Sequence, residues 1–182
     1  NTYKSIHDLP EHIFEEMKHL FVINPAAGSR DHSKEYREQI EAVCTARGIA
    51  YEIFVSQAPG QCRELARKAA ETGQEYRIYA CGGDGTLNEV ASGAAGFPNV
   101  AVTVFSGGSG NDFARMFSDP NAFKSLERLL DAGEVEFDLI KCNENYCVNM
   151  VNIGFDCAVV KEADKLKKVK FFTPGISYIL GV

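Results

Sequence analysis

Apolar positions along the chain follow two periods, one typical of buried strands and one typical of amphipathic helices. Nearly continuous apolar runs predict strands within HLFVINP (19–25), AYEIFVS (50–56), EYRIYA (75–80) and NVAVTVF (99–105). Apolar residues at helical spacing predict helices over 33–47, 61–73, 86–96 and 120–133. Gly48 and Gly73 close the first two helices. Strands that alternate with helices predict an α/β fold, in which helices cover both faces of a parallel sheet.

The pattern changes near residue 134, where EVEFDLIKCNENYCVNMVNIGFD places strand-like segments around a polar turn at 143–145. This arrangement predicts a hairpin. We therefore divide the chain into a polar, helical extension over 1–19, an α/β domain over 20–138 and the beginning of a second, β-rich domain over 139–182. We expect the remainder of that second domain to lie outside this chain. A strand edge left unpaired in this way favours association into a homo-oligomer.

The composition is that of a globular protein and argues against general nucleic-acid binding. Apolar residues make up 45% of the 182 positions, and the formal net charge is −6. No apolar run approaches the length of a membrane span, and the first residues lack the apolar core of a signal peptide. The six cysteines show no Cys-x-x-Cys spacing, and most lie within apolar segments. We expect reduced core thiols and a cytoplasmic location.

Glycine-rich loops follow the first, third and fourth predicted strands, as NPAAG (24–28), GGDGT (82–86) and GGSGND (107–112). Loops that follow parallel strands lie at one edge of the sheet, and ligands bind at this edge. Glycine lets a phosphate approach backbone amides closely, and the amides at a helix start attract it. Asp84 would repel a phosphate, but it can hold Mg²⁺ directly or through water. For an isolated loop of this kind, the alternative is a plain strand-to-helix turn with an Asp cap. Here the loop GGSGND repeats the combination of glycines with polar and acidic side chains, and this favours phosphate binding.

Neither GGDGT nor GGSGND is a Walker A motif, and neither has the glycine spacing of a dinucleotide-binding fold. Instead NPAAG, GGDGTLNEV and GSGNDFAR, in this order, resemble the diacylglycerol kinase catalytic-domain family, which includes bacterial lipid kinases and the sphingosine and ceramide kinases. The resemblance runs from Phe21 to at least Asp156. It implies a three-layer nucleotide-binding domain of the phosphofructokinase and NAD kinase type, followed by a β-sandwich domain. It also implies transfer of the ATP γ-phosphate to a lipid hydroxyl of the diacylglycerol type, with Mg²⁺, by a cytoplasmic enzyme that acts peripherally at a membrane.

The family's functional positions map onto this chain residue by residue. The implied ATP contacts are Asn24, Pro25, Ala26, Ala27, Gly28, Ser56, Gly82, Gly83, Asp84, Gly85, Thr86, Leu87, Asn88 and Ser109. The implied metal residues, acting through water, are Asp84, Asp112 and Asp138. Asp84 is also the catalytic candidate within this chain. The resemblance implies that the general base comes from the sandwich domain, outside this chain. The chain by itself is therefore expected to be inactive. The chain departs from the family at Ser106 and Gly107, where proline and a bulky apolar residue are usual, and these changes are expected to loosen the loop.

Two other functions are compatible with the same residues. NAD kinases share the Gly-Gly-Asp-Gly-Thr motif, although GNDFAR favours the lipid kinases. A nucleotide-binding module without catalysis would retain the same loops. Outside the loops, Arg30 and His32 are expected to be solvent-exposed side chains, whereas Arg115 fits a phosphate contact and a surface position equally well.

Overall fold

The structure is a computed structural model that describes residues 17–107 and 111–151. It contains a four-stranded parallel sheet in the order β2-β1-β3-β4. The strands are β1 (Lys18–Ile23), β2 (Tyr51–Val55), β3 (Tyr76–Gly82) and β4 (Val100–Ser106). The two central strands carry the long apolar runs, because both of their faces are covered.

The helices follow the strands as the sequence pattern predicts. They are α1 (Ser33–Arg47), α2 (Gln61–Glu71), α3 (Asp84–Ala94), the short α4 (Asp112–Arg115) and α5 (Leu126–Leu130), with a 3₁₀ turn at Pro120–Lys124 before α5. Right-handed crossovers place α1 on one face of the sheet and α2 and α3 on the other. The packing agrees, since α2 contacts α3 and α1 contacts α5. The predicted α/β fold with helices on both faces is confirmed.

The core lies between the central strands and the two helical layers. The ring of Phe21 stacks on that of Tyr79 with 4.4 Å between centroids, and both side chains are fully buried. Cys44, Cys62 and Cys81 are buried free thiols, as expected for core cysteines, whereas Cys142 is exposed.

One predicted helix, over 120–133, forms as two short pieces. Ser125 interrupts it in an extended conformation (φ −110°, ψ 115°), and its side chain accepts a hydrogen bond from the amide of Arg128. Asp119 caps the preceding 3₁₀ turn through the amide of Asn121. The Asp119 cap supports the start of the 3₁₀ turn, whereas Ser125 begins a new helix with its own cap, and this favours a break over one continuous helix.

The predicted hairpin is present as β5 (Ile140–Cys142) and β6 (Asn145–Cys147), with Asn143 at a positive φ of 53° in its turn. Asparagine tolerates this conformation better than most residues. The guanidinium group of Arg63 in α2 donates to Asn145 Oδ1 at 2.8 Å and to the carbonyl of Glu144 at 3.0 Å. The hairpin is therefore held against α2.

The chain forms two compact units, Asn1–Asn149 and Met150–Val182. The first contains the sheet, the helices and the hairpin. Residues 1–16 of the N-terminal extension and residues 152–182 lie outside the described part. A second domain that begins at residue 139, and its sandwich architecture, therefore stay predictions.

Candidate nucleotide-binding site

The glycine loops meet at the point where the sheet reverses its strand order. The connection after β1 leads to β2 on one side, and the connection after β3 leads to β4 on the other. Loops that diverge from neighbouring strands leave a crevice at the carboxyl ends, where ligands bind in open α/β sheets. NPAAG and GGDGT follow these two strands and border that crevice.

Asn24 joins the two loops. Its amide donates to the carbonyl of Cys81 at 3.2 Å, and its Nδ2 donates to Thr86 Oγ1 at 3.1 Å. Its Oδ1 accepts from the amide of Ala26 at 3.0 Å, and this bond shapes the turn that includes Pro25 and Ala27. The turn ends at Gly28, whose φ of 91° favours glycine. Thr86 is 2% exposed and Asn24 is half-buried, so their hydrogen bond is a partly buried connection between the loops that follow β1 and β3.

Gly82 leaves no room for a side chain between these loops. A Cβ at this position would lie 2.4 Å from Thr86 Oγ1 and 3.2 Å from the Cβ of Ala27. The glycine therefore permits the close approach of the two loops that the Asn24–Thr86 hydrogen bond requires.

The start of α3 presents backbone amides without a side-chain cap. Gly83 precedes the helix in an extended conformation, and no side chain within 17–107 or 111–151 caps it. Gly85, in the first turn, is exposed and has nothing within 4 Å of an added Cβ. Free amides at a helix start, together with the helix dipole, form an anion-binding site.

Asp84 caps the start of α4 and not that of its own helix. Its Oδ2 accepts from the amide of Asp112 at 2.9 Å, and its Oδ1 accepts from the amide of Phe113 at 3.0 Å. Asn149 Nδ2 donates to the same Oδ1 at 3.3 Å. A carboxylate offers about four lone-pair sites, so roughly one stays available. The alternative weighed from the sequence is an Asp cap on the turn into α3, whereas the observed cap joins the second and third glycine loops.

The structure does not gather the predicted metal residues into one cluster. Asp112 is exposed and paired with Arg115 at 2.8 Å, and Asp138 is exposed within a segment without helix or strand. Among residues 17–107 and 111–151, no three His, Cys, Asp or Glu side chains form a group that could hold a metal ion. A metal site that acts through water stays a prediction.

The remaining predicted contacts differ in how they are placed. Ser56 is buried at the end of β2, and its amide donates to the carbonyl of Ile23 at 2.9 Å. Leu87 is 2% exposed and belongs to the core, and Asn88 Oδ1 accepts from the amide of Val148 at 3.0 Å. The side chains of Leu87 and Asn88 therefore have structural partners, while Ser109 lies outside the described residues.

Two asparagines carry buried acceptors that have no partner in the described part of the chain. They are Oδ1 of Asn111, whose Nδ2 donates to Ser106 Oγ, and Oδ1 of Asn149, whose Nδ2 contacts Asp84. Leaving such an atom unsatisfied costs about 1–3 kcal/mol, so both mark places for a donor such as water. Asn111 lies within a recognisable motif, but no local pattern singles out Asn149, because its partner is 65 positions away.

Cys81, directly before the loop GGDGT, is not a nucleophile. Its side chain is fully buried, and burial raises the pKa of the thiol well above its usual range. A thiol held in its neutral form is unreactive. The chemistry of the crevice therefore rests on amides, hydroxyl groups and Asp84.

Comparisons with known proteins agree with this architecture. The family model described as "Diacylglycerol kinase catalytic domain" matches residues 18–142. YtlR of Bacillus subtilis is 32% identical over 156 residues, which cover 79% of this chain and 50% of YtlR. A diacylglycerol kinase of Staphylococcus carnosus is 28% identical over 163 residues, covering 88% of this chain and 52% of the relative. A crystal structure of a diacylglycerol kinase from Bacillus anthracis shares the fold, with a TM-score of 0.59 at 20% identity over 80% of this chain and 52% of that one.

The chain belongs to the diacylglycerol kinase catalytic-domain family, since the family match covers more than half of its residues. The resemblance inferred from NPAAG, GGDGTLNEV and GSGNDFAR is confirmed. The chain spans about half the length of the curated relatives it matches. Among the described helices, none combines the length and the apolar character needed to cross a membrane.

Proposed function

We propose that this chain is the ATP-binding part of a lipid kinase, which transfers the γ-phosphate of ATP to the hydroxyl group of a diacylglycerol-type lipid. The observation that carries the proposal is the uncapped start of α3 in the crevice, held beside the first loop by the Asn24–Thr86 hydrogen bond. Family membership supports a lipid kinase over an NAD kinase. A relative named "Diacylglycerol kinase" supports the substrate class.

The phosphates of ATP bind, in this proposal, over the amides of Gly83 to Thr86. Gly82 keeps the loops close enough for this, and Gly85 leaves the first turn of α3 open. The first loop, Asn24 to Gly28, forms the opposite wall with Ser56, and Ser109 is proposed as a further contact from its place in the sequence motif. Leu87 and Asn88 contribute through the backbone, because their side chains are engaged elsewhere.

Magnesium fits this site in a mode that keeps its water. Asp84 retains roughly one lone-pair site after its three hydrogen bonds, and the amide group of Asn149 beside it has a buried acceptor without a described partner. Mg²⁺ in phosphoryl transfer commonly has one or two carboxylates, waters and substrate phosphates as ligands. When bound, it would neutralise charge on the phosphates. Asp84 would hold it through water, with Asp112 and Asp138 as further proposed partners.

The lipid-binding domain and the general base of the reaction are proposed to lie outside this chain. The whole protein would act peripherally at a membrane surface, where its substrate is located. The isolated chain would therefore bind MgATP without efficient transfer.

Calorimetric titration with MgATP tests the proposal on this chain. A Gly85→Val substitution places methyl groups over the amides at the start of α3 without meeting any protein atom near the added Cβ. We expect MgATP affinity to fall at least about tenfold, as a lost charge-assisted contact would cause. Gly133→Val is the matched control, since nothing lies within 4 Å of its Cβ either. Equal affinities for both variants would exclude the start of α3 as the phosphate site.

A further inference from the structure

One face of α3 holds the chain segment that contains and follows β6. Asp84, Asn88 and Ser92 are spaced four residues apart along the helix, so their side chains lie on the same face. Ser92 Oγ donates to the carbonyl of Tyr146 at 2.8 Å. Asn88 Oδ1 accepts from the amide of Val148 at 3.0 Å. These two hydrogen bonds fix the segment along the helix in the direction of its start, where Asp84 lies.

Asn149 completes this series of contacts at Asp84. Its Nδ2 donates to Asp84 Oδ1 at 3.3 Å, across 65 positions of the chain. An ionised carboxylate only accepts hydrogen bonds, so the NH₂ group is the part of the amide that faces it. The amide oxygen is a buried acceptor without a partner in residues 17–107 and 111–151. Asn149 is not among the ATP or metal positions that the family resemblance implies.

The donor from Asn149 restrains the carboxylate of Asp84 from a second part of the chain. The amides of Asp112 and Phe113 in α4 each donate to one of the two carboxylate oxygens. Asn149 adds a third donor, which comes from the segment after β6. With three donors, the carboxylate has one preferred orientation, and its remaining lone pair has a defined direction.

We propose that Asn149 is a positioning residue, which holds the carboxylate of Asp84 in the orientation that phosphoryl transfer requires. This inference rests on the proposed function, because the role that it assigns to Asn149 is exerted at the proposed MgATP site. Groups that orient a metal-binding side chain typically contribute about 10–100-fold to metal affinity or activity. The segment from Tyr146 to Asn149 is therefore a part of the site.

Hydrogen exchange on this chain measures how firmly Asp84 is held, because Asp84 accepts from the amides of Asp112 and Phe113. Asn149→Leu removes the donor together with the unpartnered acceptor, so the free energy of unfolding should change little. We expect exchange at Asp112 and Phe113 to become at least about threefold faster, while the sheet stays protected. Asn149→Asp keeps the shape and places an oxygen against Asp84, and without metal it should accelerate exchange at least as much.

Ser92→Ala is the matched control. It removes a hydrogen bond between the same segment and α3, about 12 Å along the helix axis from Asp84. Exchange at Asp112 and Phe113 should stay at the wild-type rate in this variant. Equal acceleration in Ser92→Ala and Asn149→Leu would show that docking of the segment, and not the donor at Asp84, controls the site. That result would overturn the inference, as would wild-type exchange in both Asn149 variants.

Calorimetric titration separates this inference from the proposed function. We expect Asn149→Leu to weaken the binding of MgATP about tenfold or more. The binding of ATP in the presence of EDTA should be unchanged, because the amides at the start of α3 are unaltered. Equal weakening of both forms would overturn the inference. A wild-type chain that binds neither form would contradict the proposed function, and the exchange rates would still decide whether Asn149 orients Asp84.

The whole protein provides the kinetic test of the same variant. Asn149→Leu should lower kcat about 10–100-fold and leave the KM for the lipid unchanged. Ser92→Ala should retain the wild-type kcat. A higher KM for the lipid at an unchanged kcat would assign Asn149 to lipid binding and would overturn the positioning role.

Discussion

Gly82 is the residue at which the candidate site leaves least space. We predict that Gly82→Ala lowers the free energy of unfolding by about 1–3 kcal/mol, because its Cβ would lie 2.4 Å from Thr86 Oγ1 in its own loop and 3.2 Å from the Cβ of Ala27 in the first loop, and would push the two loops apart. Urea denaturation measures the change. Gly85→Ala is the control, since its Cβ meets no atom within 4 Å and alanine favours the helix. If both variants unfold with the same free energy, the two loops are not in close contact.

Tyr36 gives the stability a specific dependence on alkaline pH. Burial raises the pKa of Tyr36 from 10.0 to about 12. The folded chain therefore keeps the phenolic proton at pH values where the unfolded chain releases it. The stability that the protonated Tyr36 contributes is fully present below pH 10. It decreases by about 2–3 kcal/mol as the pH rises from 10 to 12.

We predict that Tyr36→Phe reduces the loss of stability between pH 10 and 12, relative to the wild type. Denaturation curves across this range measure it, and Tyr146→Phe, at a partly exposed tyrosine, is the control. The wild type and Tyr36→Phe losing stability in parallel would argue against proton retention at Tyr36. Burial also raises the pKa of Tyr79 to about 12, so part of the loss should persist in the variant.

At the residue scale the sequence predicts which side chains reach the site better than it predicts their partners. Asn24, Gly82 and Thr86 lie in motifs, and the structure places them together. Asp84 accepts from two amides of α4 that lie 28 and 29 positions later in the chain, and no local pattern predicts a contact over that separation. The loosening of the loop expected from Gly107 stays a prediction. A Cβ at this position would meet Tyr36, which lies 71 positions earlier in the chain, and no local pattern identifies this contact.

At the scale of elements, α2 and α3 pack closely because Gly93 has no side chain. A Cβ at Gly93 would lie 2.3 Å from the backbone carbonyl oxygen of Arg63 and 2.8 Å from the Cβ of Ala66. We predict that Gly93→Ala lowers the free energy of unfolding by about 1–3 kcal/mol or more, because a backbone atom cannot move aside as a flexible side chain can.

Gly85→Ala in the same helix is again the control, and it should raise stability by up to about 1 kcal/mol. Urea denaturation compares the two variants. A Gly93→Ala protein as stable as Gly85→Ala would mean that the two helices are not in contact at this position.

The boundaries of elements were predictable where a residue imposes them locally. Gly48 ends α1 at the predicted position, since its φ of 65° lets its amide reach the carbonyls of Cys44 and Thr45. The break at Ser125 was missed, because the apolar spacing continues through it and only the side-chain cap reveals it. Periodicity identifies helices, and capping decides where they stop.

At the scale of the whole molecule, alternation of strands and helices predicts the parallel sheet, but the strand order comes from tertiary packing. The central position of β1 between β2 and β3 creates the crevice and brings the first two loops together. The sequence places these loops at one edge without stating which of them are neighbours.

The expected association of this chain also belongs to the whole molecule. Val135, Phe137 and Ile140 are 75%, 46% and 46% exposed. We predict concentration-dependent self-association, measured by light scattering, and a decrease of it in Val135→Lys, since a lysine disfavours burial of this surface. Glu136→Lys changes the neighbouring exposed residue without removing apolar surface and is the control. A strictly monomeric wild-type chain at all concentrations would contradict the prediction.

Asp84 is the residue through which the proposed function is tested most directly. Asp84→Asn keeps one acceptor oxygen, but its NH₂ group would face an amide donor of α4. Hydrogen exchange at Asp112 and Phe113 should therefore accelerate, while the sheet stays protected. This local readout separates a lost chemical role from a lost fold.

The decisive measurement is transfer of radiolabel from γ-labelled ATP to a panel of lipids by the whole protein with Mg²⁺. We predict that the wild type labels a lipid and that Asp84→Asn lowers the rate roughly 100-fold or more, as loss of a charge-organising group does. Glu71→Gln, at an exposed acid on α2, should leave the rate unchanged. Transfer at a near-normal rate by a folded Asp84→Asn protein would contradict the account, as would MgATP binding by a wild type that labels no lipid.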